Sequence, residues 1–411
     1  MRSDRHTYIP AFDGLRGLAI LPVILLHVGV TTLPNGGLLY ELSRGWYGVD
    51  LFFVLSGFLI TWILTGEIES TGTLDLGRFY KRRFLRLAPA YLSMLVAVLA
   101  GAAIFERSAL AKVPAVAPAL LTYTYNYQIA LGGPHFDVIV VVWSLCIEEQ
   151  FYLTWPWILR GLGRRRALWF CLAAIAALSL YRSGLYLAMN WGHLTHPSPA
   201  SSIWIYFATD TRIGAIFMGC AAALSLRHRR TRKLWESVND RCFFPLAALF
   251  LVGLGVAVVT GGRPSSGSFR SATLGYTLVG FTTAILITAI FLQPSSLVAR
   301  ALSWKPLVSL GTVSYGVYLF HPAIAWLLLH FARIAGVTIA LRPALEFSLA
   351  SVLVLALTWS FAVIHYRYVE RWFLSLRKPV AGAPQLSRDK SAESPGSKRV
   401  EAADARQLTM Q

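Results

Sequence analysis

Charged side chains are scarce in this sequence. Asp, Glu, Lys and Arg make up 14% of 411 residues, where a soluble chain of this size carries roughly a quarter. Hydrophobic residues reach 55% and the mean hydropathy is +0.55. A soluble globular protein is excluded on those figures, and so is a soluble second domain. Cysteine is nearly absent. Cys146, Cys171, Cys220 and Cys242 show no paired spacing and lie in or beside apolar runs. They read as small packing residues, with neither a disulfide framework nor a metal site. The sequence also lacks metal-ligand spacing, a nucleophile-elbow serine, a phosphate-cradling glycine loop and any internal repeat. The first apolar run has no small-residue cleavage site and carries its own charges, so it is a retained span and not a signal peptide.

What is present is a series of apolar runs of about 20 residues, the length that crosses a bilayer as a helix. Ten are expected, at 12–31, 46–66, 87–106, 138–159, 167–187, 203–226, 243–260, 273–292, 307–331 and 345–366. The fold class is therefore an all-α polytopic membrane protein whose two termini share one side. Of the 38 Lys and Arg residues, 29 fall in the termini and the loops or edges on that side, and seven on the other. This asymmetry puts both termini in the cytoplasm, and the expected location is the plasma (inner) membrane. It also accounts for the net charge of +18 without a nucleic-acid partner. Residues 1–378 form the transmembrane domain. The tail 379–411, rich in Pro, Ser and Ala, is expected to be disordered and cytoplasmic. The longest outward loop, 107–137, holds the aromatic string TYTYNYQ. It reads either as an interfacial belt or as a platform for a sugar or another flat polar ligand.

Ionisable residues inside such runs are costly by several kcal/mol and mark functional sites unless they are paired. Arg16 and His27 lie in FDGLRGLAILPVILLHVGV. Their eleven-residue separation is roughly 16 Å along a helix, about half the hydrocarbon thickness. In the second run, YGVDLFFVLSGFLIT places Asp50 at the outer edge, where it could simply end a helix. Ser56 and Gly57 suit close helix packing. The fourth run, VVWSLCIEEQFYLTWPWIL, puts Ser144, Glu148 and Phe151 or Tyr152 on one face, with Glu149 about 100° away. A structural ion pair with arginine is the alternative for either glutamate. Asp210 and Arg212 lie about 10–14 Å into the sixth run, and could pair with each other's neighbours or with Glu148. His321 precedes Pro322, which kinks the helix. Arg82, Arg83 and Arg86 cluster at the cytoplasmic end of the third run, with Arg83 and Arg86 on one face. The cluster suits lipid phosphate, or equally the phosphates of a cytoplasmic nucleotide-bearing donor. His365 stands alone.

The set permits proton transfer from a hydroxyl by a histidine, with a carboxylate to fix its tautomer and arginines to hold phosphates. Buried His, Glu, Asp and Arg also build proton-coupled transporters, which commonly show matching broken helices in two halves. No such symmetry is visible in the sequence.

The motifs FDGLRGLAIL with the Arg-x10-His spacing, GVDLFFVLSGFLI, RRFLRLAP, WSLCIEEQFYLTWP, TDTRIGAIFMG and SYGVYLFHPAI occur in this order. Over residues 8–375 the chain thereby resembles the membrane-bound acyltransferase-3 family of bacteria. The resemblance implies transfer of an acyl group, often acetyl, from cytoplasmic acyl-CoA to an acceptor hydroxyl. That hydroxyl belongs to a surface glycan (lipopolysaccharide O-antigen, exopolysaccharide, Nod factor, peptidoglycan, or a lipid-linked saccharide), or to a small molecule such as a macrolide. Many larger relatives carry a periplasmic hydrolase-like domain after the last span. Its absence here implies that the membrane domain acts alone or with a separate periplasmic partner. The family pattern carries over Arg16 and His27 as the principal pair, Arg83 and Arg86 at the donor mouth with Arg82 beside them, and Glu148 as the carboxylate. His27 is expected as general base or transient acyl acceptor, oriented by Glu148, while Arg16 and the cluster hold the CoA phosphates. Asp50, Ser144, Glu149, Asp210, Arg212 and His321 are second-tier site residues. No metal and no permanently bound cofactor is expected, and membrane lipids are the remaining partner.

Overall fold

The computed structural model describes residues 8–34, 39–40, 43, 45–191, 198–260, 274–334 and 343–376. The tail 379–411 and the loop 261–273 lie outside these residues. The described chain is helical. The helices that matter for the site are α1 (Pro10–Thr32), α2 (Tyr47–Thr71), α3 (Leu76–Phe105), α4 (Val142–Met189), α5 (Pro199–Phe207), α6 (Gly214–Arg227), α7 (Arg229–Thr260), α8 (Tyr276–Leu292), α9 (Lys305–Thr312), α10 (Ser314–Ile334) and α11 (Pro343–His365). Among the described residues, six helices, α1, α2, α3, α4, α10 and the α11 segment, are long and apolar enough to cross a membrane. Gly214–Arg227, Pro245–Val256 and Tyr276–Leu292 are shorter apolar helices.

Local chemistry sets the ends. Pro10 opens α1, where its missing N–H is no loss. Asp75 caps α3 by accepting from the Arg78 amide at 2.9 Å. The expected fourth and fifth runs meet inside α4 at Gly163, whose φ of 67° and ψ of 167° are tolerable only for glycine. Hydroxyls inside the apolar helices fold back onto the preceding turn. Thr65 donates to the Thr61 carbonyl, Thr283 to Val279 and Thr288 to Ala284, which satisfies them where water is absent.

Two runs expected to be continuous are broken. The 203–226 run divides into α5, a short turn at Thr209–Arg212, and α6, because Ala208 is extended at ψ 144°. The 307–331 run divides at Val313 into α9 and α10. Broken backbone at such depth persists only where protein groups take over its hydrogen bonds, and they do so around Ala208. The amide of Asn126 donates to the Phe207 carbonyl, the guanidinium of Arg182 to that of Thr211, and the Thr211 hydroxyl to Ile205 and Ala208.

The helices sort into inner and outer. About half of each apolar stretch in α1, α2 and α10 is buried, against 28% in α3 and 11% in α4. Outer faces carry Phe84, Val96, Ile104 and Val352, all exposed, as suits a surface facing lipid. Inside, glycines let backbones touch. A Cβ on Gly57 would come within 2.0 Å of the Ile216 carbonyl oxygen, and one on Gly219 within 1.9 Å of that of Val54, so α2 and α6 cross at van der Waals contact. Gly17 and Gly311 do the same for α1 and α9. The inner helices are therefore held in close register; Arg16, His27, Asp50 and His321 lie on them, while Arg83 and Arg86 come from α3 and Glu148 from α4.

Candidate active site

Arg16 sits one turn inside α1, where its guanidinium donates to Asp13 at 2.7 Å; the Tyr8 hydroxyl donates to the other oxygen of that carboxylate, also at 2.7 Å. Arg83 and Arg86 share one face of α3. With Arg16 they line a cavity closed by Ser56 of α2, Glu148 and Tyr152 of α4, and Tyr315 of α10. The Arg83 guanidinium lies 5.3 Å from the Tyr152 ring centre, a cation–π distance. Tyr152 donates to Glu148 Oε2 at 3.2 Å, and its oxygen is 2.6 Å from Ser56 Oγ. Three guanidinium groups thus share one cavity with the Glu148 carboxylate. Arg82 does not line this cavity, and neither does Glu149.

Further along α1, His27 lines a second and larger cavity of about 550 Å³, with Trp46 at the N-cap of α2, Trp143 of α4, Tyr206 of α5, and Trp326 and His330 of α10. The two cavities lie end to end along the same inner helices. Val49 and Tyr318 line both and so form the wall between them. Tyr318 is fixed there: its oxygen is 2.7 Å from Ser144 Oγ, and it donates to the Val141 carbonyl at 3.0 Å.

His27 was expected to be oriented by Glu148. The two residues line different cavities, and the group touching His27 is His321, whose Nε2 lies 3.2 Å from His27 Nδ1. Pro322 lets this happen, because it frees the helix locally just where His321 turns inward. The hydrogen bonds assign the protons. His321 Nδ1 faces the Tyr318 carbonyl at 2.8 Å and must carry a hydrogen, which leaves Nε2 as an acceptor. His27 Nδ1 faces the Val23 carbonyl at 2.8 Å and must carry one too, shared between that oxygen and His321. The basic atom left on His27 is Nε2.

The remaining sequence candidates are placed as follows. Asp50 and Arg212 are fully buried and paired at 3.0 Å, which joins α2 to the turn between α5 and α6. The Arg212 guanidinium sits 3.9 Å from the Tyr276 ring centre, with Trp143 and Tyr206 around it. Asp210 points the other way and accepts from Tyr181 and Trp204. Neither residue pairs with Glu148. In the aromatic loop, Tyr125 and its neighbour Asn126 are buried in the protein; they support Phe136 and Phe207 and offer no face to a ligand. His365 is paired with Glu370 at 3.1 Å.

Sequence reasoning missed Tyr318, Trp143 and Tyr206, because an aromatic in an apolar run carries no signal of its own. It also passed over Arg182, although a buried arginine was signal enough.

The family profile described as an acyltransferase domain matches residues 9–363. The chain is 32% identical over 329 residues to the O-acetyltransferase OatA of Staphylococcus aureus, covering 76% of this chain and 50% of that protein. It is 30% identical over 388 residues to the peptidoglycan O-acetyltransferase OatA of Listeria monocytogenes, covering 90% of this chain and 56% of that protein. The chain spans about half the length of the curated relatives it matches, and no solved structure matches it. With residues of most of the family's motifs lining the two cavities and its profile running along nearly the whole sequence, the chain belongs to the acyltransferase-3 family of membrane-bound acyl-transferring enzymes.

Proposed function

We propose that the protein is an O-acyltransferase of the plasma membrane, with ten spans and cytoplasmic termini. It would move an acyl group, acetyl foremost, from cytoplasmic acyl-CoA to a hydroxyl of a cell-surface or exported glycan. The observation that carries this reading is the pair of cavities laid end to end, one bearing Arg16, Arg83 and Arg86, the other bearing His27. The positive-inside asymmetry supports assigning the arginine cavity to the cytoplasmic donor and the histidine cavity to the acceptor.

In this mechanism the arginines hold the donor's phosphates by charge-assisted hydrogen bonds. The acceptor hydroxyl gives its proton to His27 Nε2 as its oxygen bonds to the thioester carbon. The carbon–sulfur bond then breaks, and the thiolate leaves with the proton that His27 returns. His321 and the Val23 carbonyl receive the stronger Nδ1–H of the imidazolium formed in between. The names of the relatives bring peptidoglycan forward as the acceptor, beside lipopolysaccharide O-antigen and exopolysaccharide.

The test is acyl transfer by the protein in proteoliposomes supplied with radiolabelled acetyl-CoA, read on glycan acceptors by mass spectrometry. His27→Ala should lower turnover by about 10²–10⁴-fold while the protein still inserts. Near-normal transfer by that variant would sink the base role. Transport of a solute without acylation would favour the proton-coupled transporter, and acylation of a small molecule alone would remove the glycan.

A further inference from the structure

The wall between the two cavities deserves a function of its own. The residues that line both sides of it are one branched aliphatic side chain, Val49, and one phenol, Tyr318. Both are buried. Tyr318 cannot swing freely: its hydroxyl is tied to Ser144 Oγ and the Val141 carbonyl, and its ring packs against Phe52 and His321 at centroid distances of 6.3 and 6.0 Å. Val49 stands near the start of α2, next to Asp50, whose buried pair with Arg212 anchors that turn of helix. A rigid tyrosine therefore faces an aliphatic residue on an anchored helix.

We propose that Val49 and Tyr318 form the aperture that sets the length of the acyl chain transferred, admitting a short acyl group such as acetyl and resisting longer ones. The inference rests on the reading of the arginine cavity as the donor site. If the donor's phosphates lie with Arg16, Arg83 and Arg86, and the base is His27, the acyl group must cross this wall tail first for its carbonyl to meet the acceptor. Each added methylene must then clear the gap before the carbonyl arrives. An apolar constriction discriminates one methylene by about 10–200-fold, and an aperture braced by hydrogen bonds keeps that discrimination because it does not widen to fit.

The experiment compares propionyl-CoA with acetyl-CoA as donors for the full-length protein in proteoliposomes, read as the ratio of the two transfer rates. Val49→Ala should raise the propionyl-to-acetyl ratio by about tenfold or more, and Val49→Leu should lower it. Tyr318→Phe keeps the ring but releases it from Ser144 and Val141, and it should also raise the ratio. A wild-type ratio in the Val49 variants would overturn the aperture. If those variants lose all transfer, the Tyr318→Phe ratio decides, and a wild-type value there overturns it as well. The failure of the donor reading is distinguishable, since Arg83→Ala combined with Arg86→Ala would then leave the Michaelis constant for acetyl-CoA at its wild-type value.

Discussion

Two imidazoles 294 positions apart in the chain meet at 3.2 Å, and this contact assigns unequal tasks to them. His27 lines the cavity, whereas His321 is fully buried and touches the chemistry only through His27. His321 is thus a positioning residue. Its replacement by alanine should lower kcat by up to about 10⁴-fold, the penalty measured where a catalytic histidine loses its tautomer-fixing partner. The Michaelis constant for the acyl donor should stay at its wild-type value, and steady-state kinetics with acetyl-CoA reads both. A role confined to packing would instead lower the amount of folded protein and leave kcat per folded molecule intact. At the other end of α1, Arg83→Ala combined with Arg86→Ala should raise the donor Michaelis constant with little change in kcat at saturation. A loss seen only in acceptor use would reverse the assignment of the two cavities.

Helices in this protein are located by what their small residues allow. The crossing of α2 and α6 at Gly57 and Gly219 leaves no room for a side chain, so Gly57→Leu should cost several kcal/mol through overpacking of a site with no slack. A lowered thermal midpoint of the purified protein in detergent checks this. Much of the helical pattern was legible in advance, because apolar runs of membrane length and the glycines among them are local signals. The breaks at Ala208 and Val313 were not, since neither residue is a helix breaker. The one at Ala208 exists because Asn126, Arg182 and Thr211 satisfy the freed carbonyls, and two of those three groups come from elsewhere in the chain. The site divides in the same way. Arg16, His27, Glu148 and His321 stand out as polar residues in apolar runs, but which of them touch depends on tertiary packing. Glu148 and His27 share a chemistry that suits pairing, yet they line different cavities.

Across the described residues, much of the charge is gathered at the arginine cavity, paired in the interior or set at the ends. Asp50 and Arg212 form the deepest pair, and they bind α2 to the broken sixth segment while flanking the cavity wall. Removing one partner strands the other, at a cost of about 3–5 kcal/mol. Asp50→Ala should therefore unfold at markedly lower temperature, and adding Arg212→Met should recover part of the loss. Recovery of nothing would mean that the pair does not act as a unit. At one end of the bundle, Glu69 takes both Arg164 and Arg227, which ties α2, the Gly163 bend and α6 into one clasp.

The contact between His27 and His321 has a further consequence for timing. Two cationic rings at that separation repel strongly, and three of the four ring nitrogens are already engaged. The pair therefore stores a single proton. Until the departing sulfur collects it, a second acceptor hydroxyl finds no vacancy, so the enzyme is self-interlocked: one acyl group, one proton, one release. Rates measured in mixtures of light and heavy water should accordingly fall on a straight line, the mark of one proton in flight.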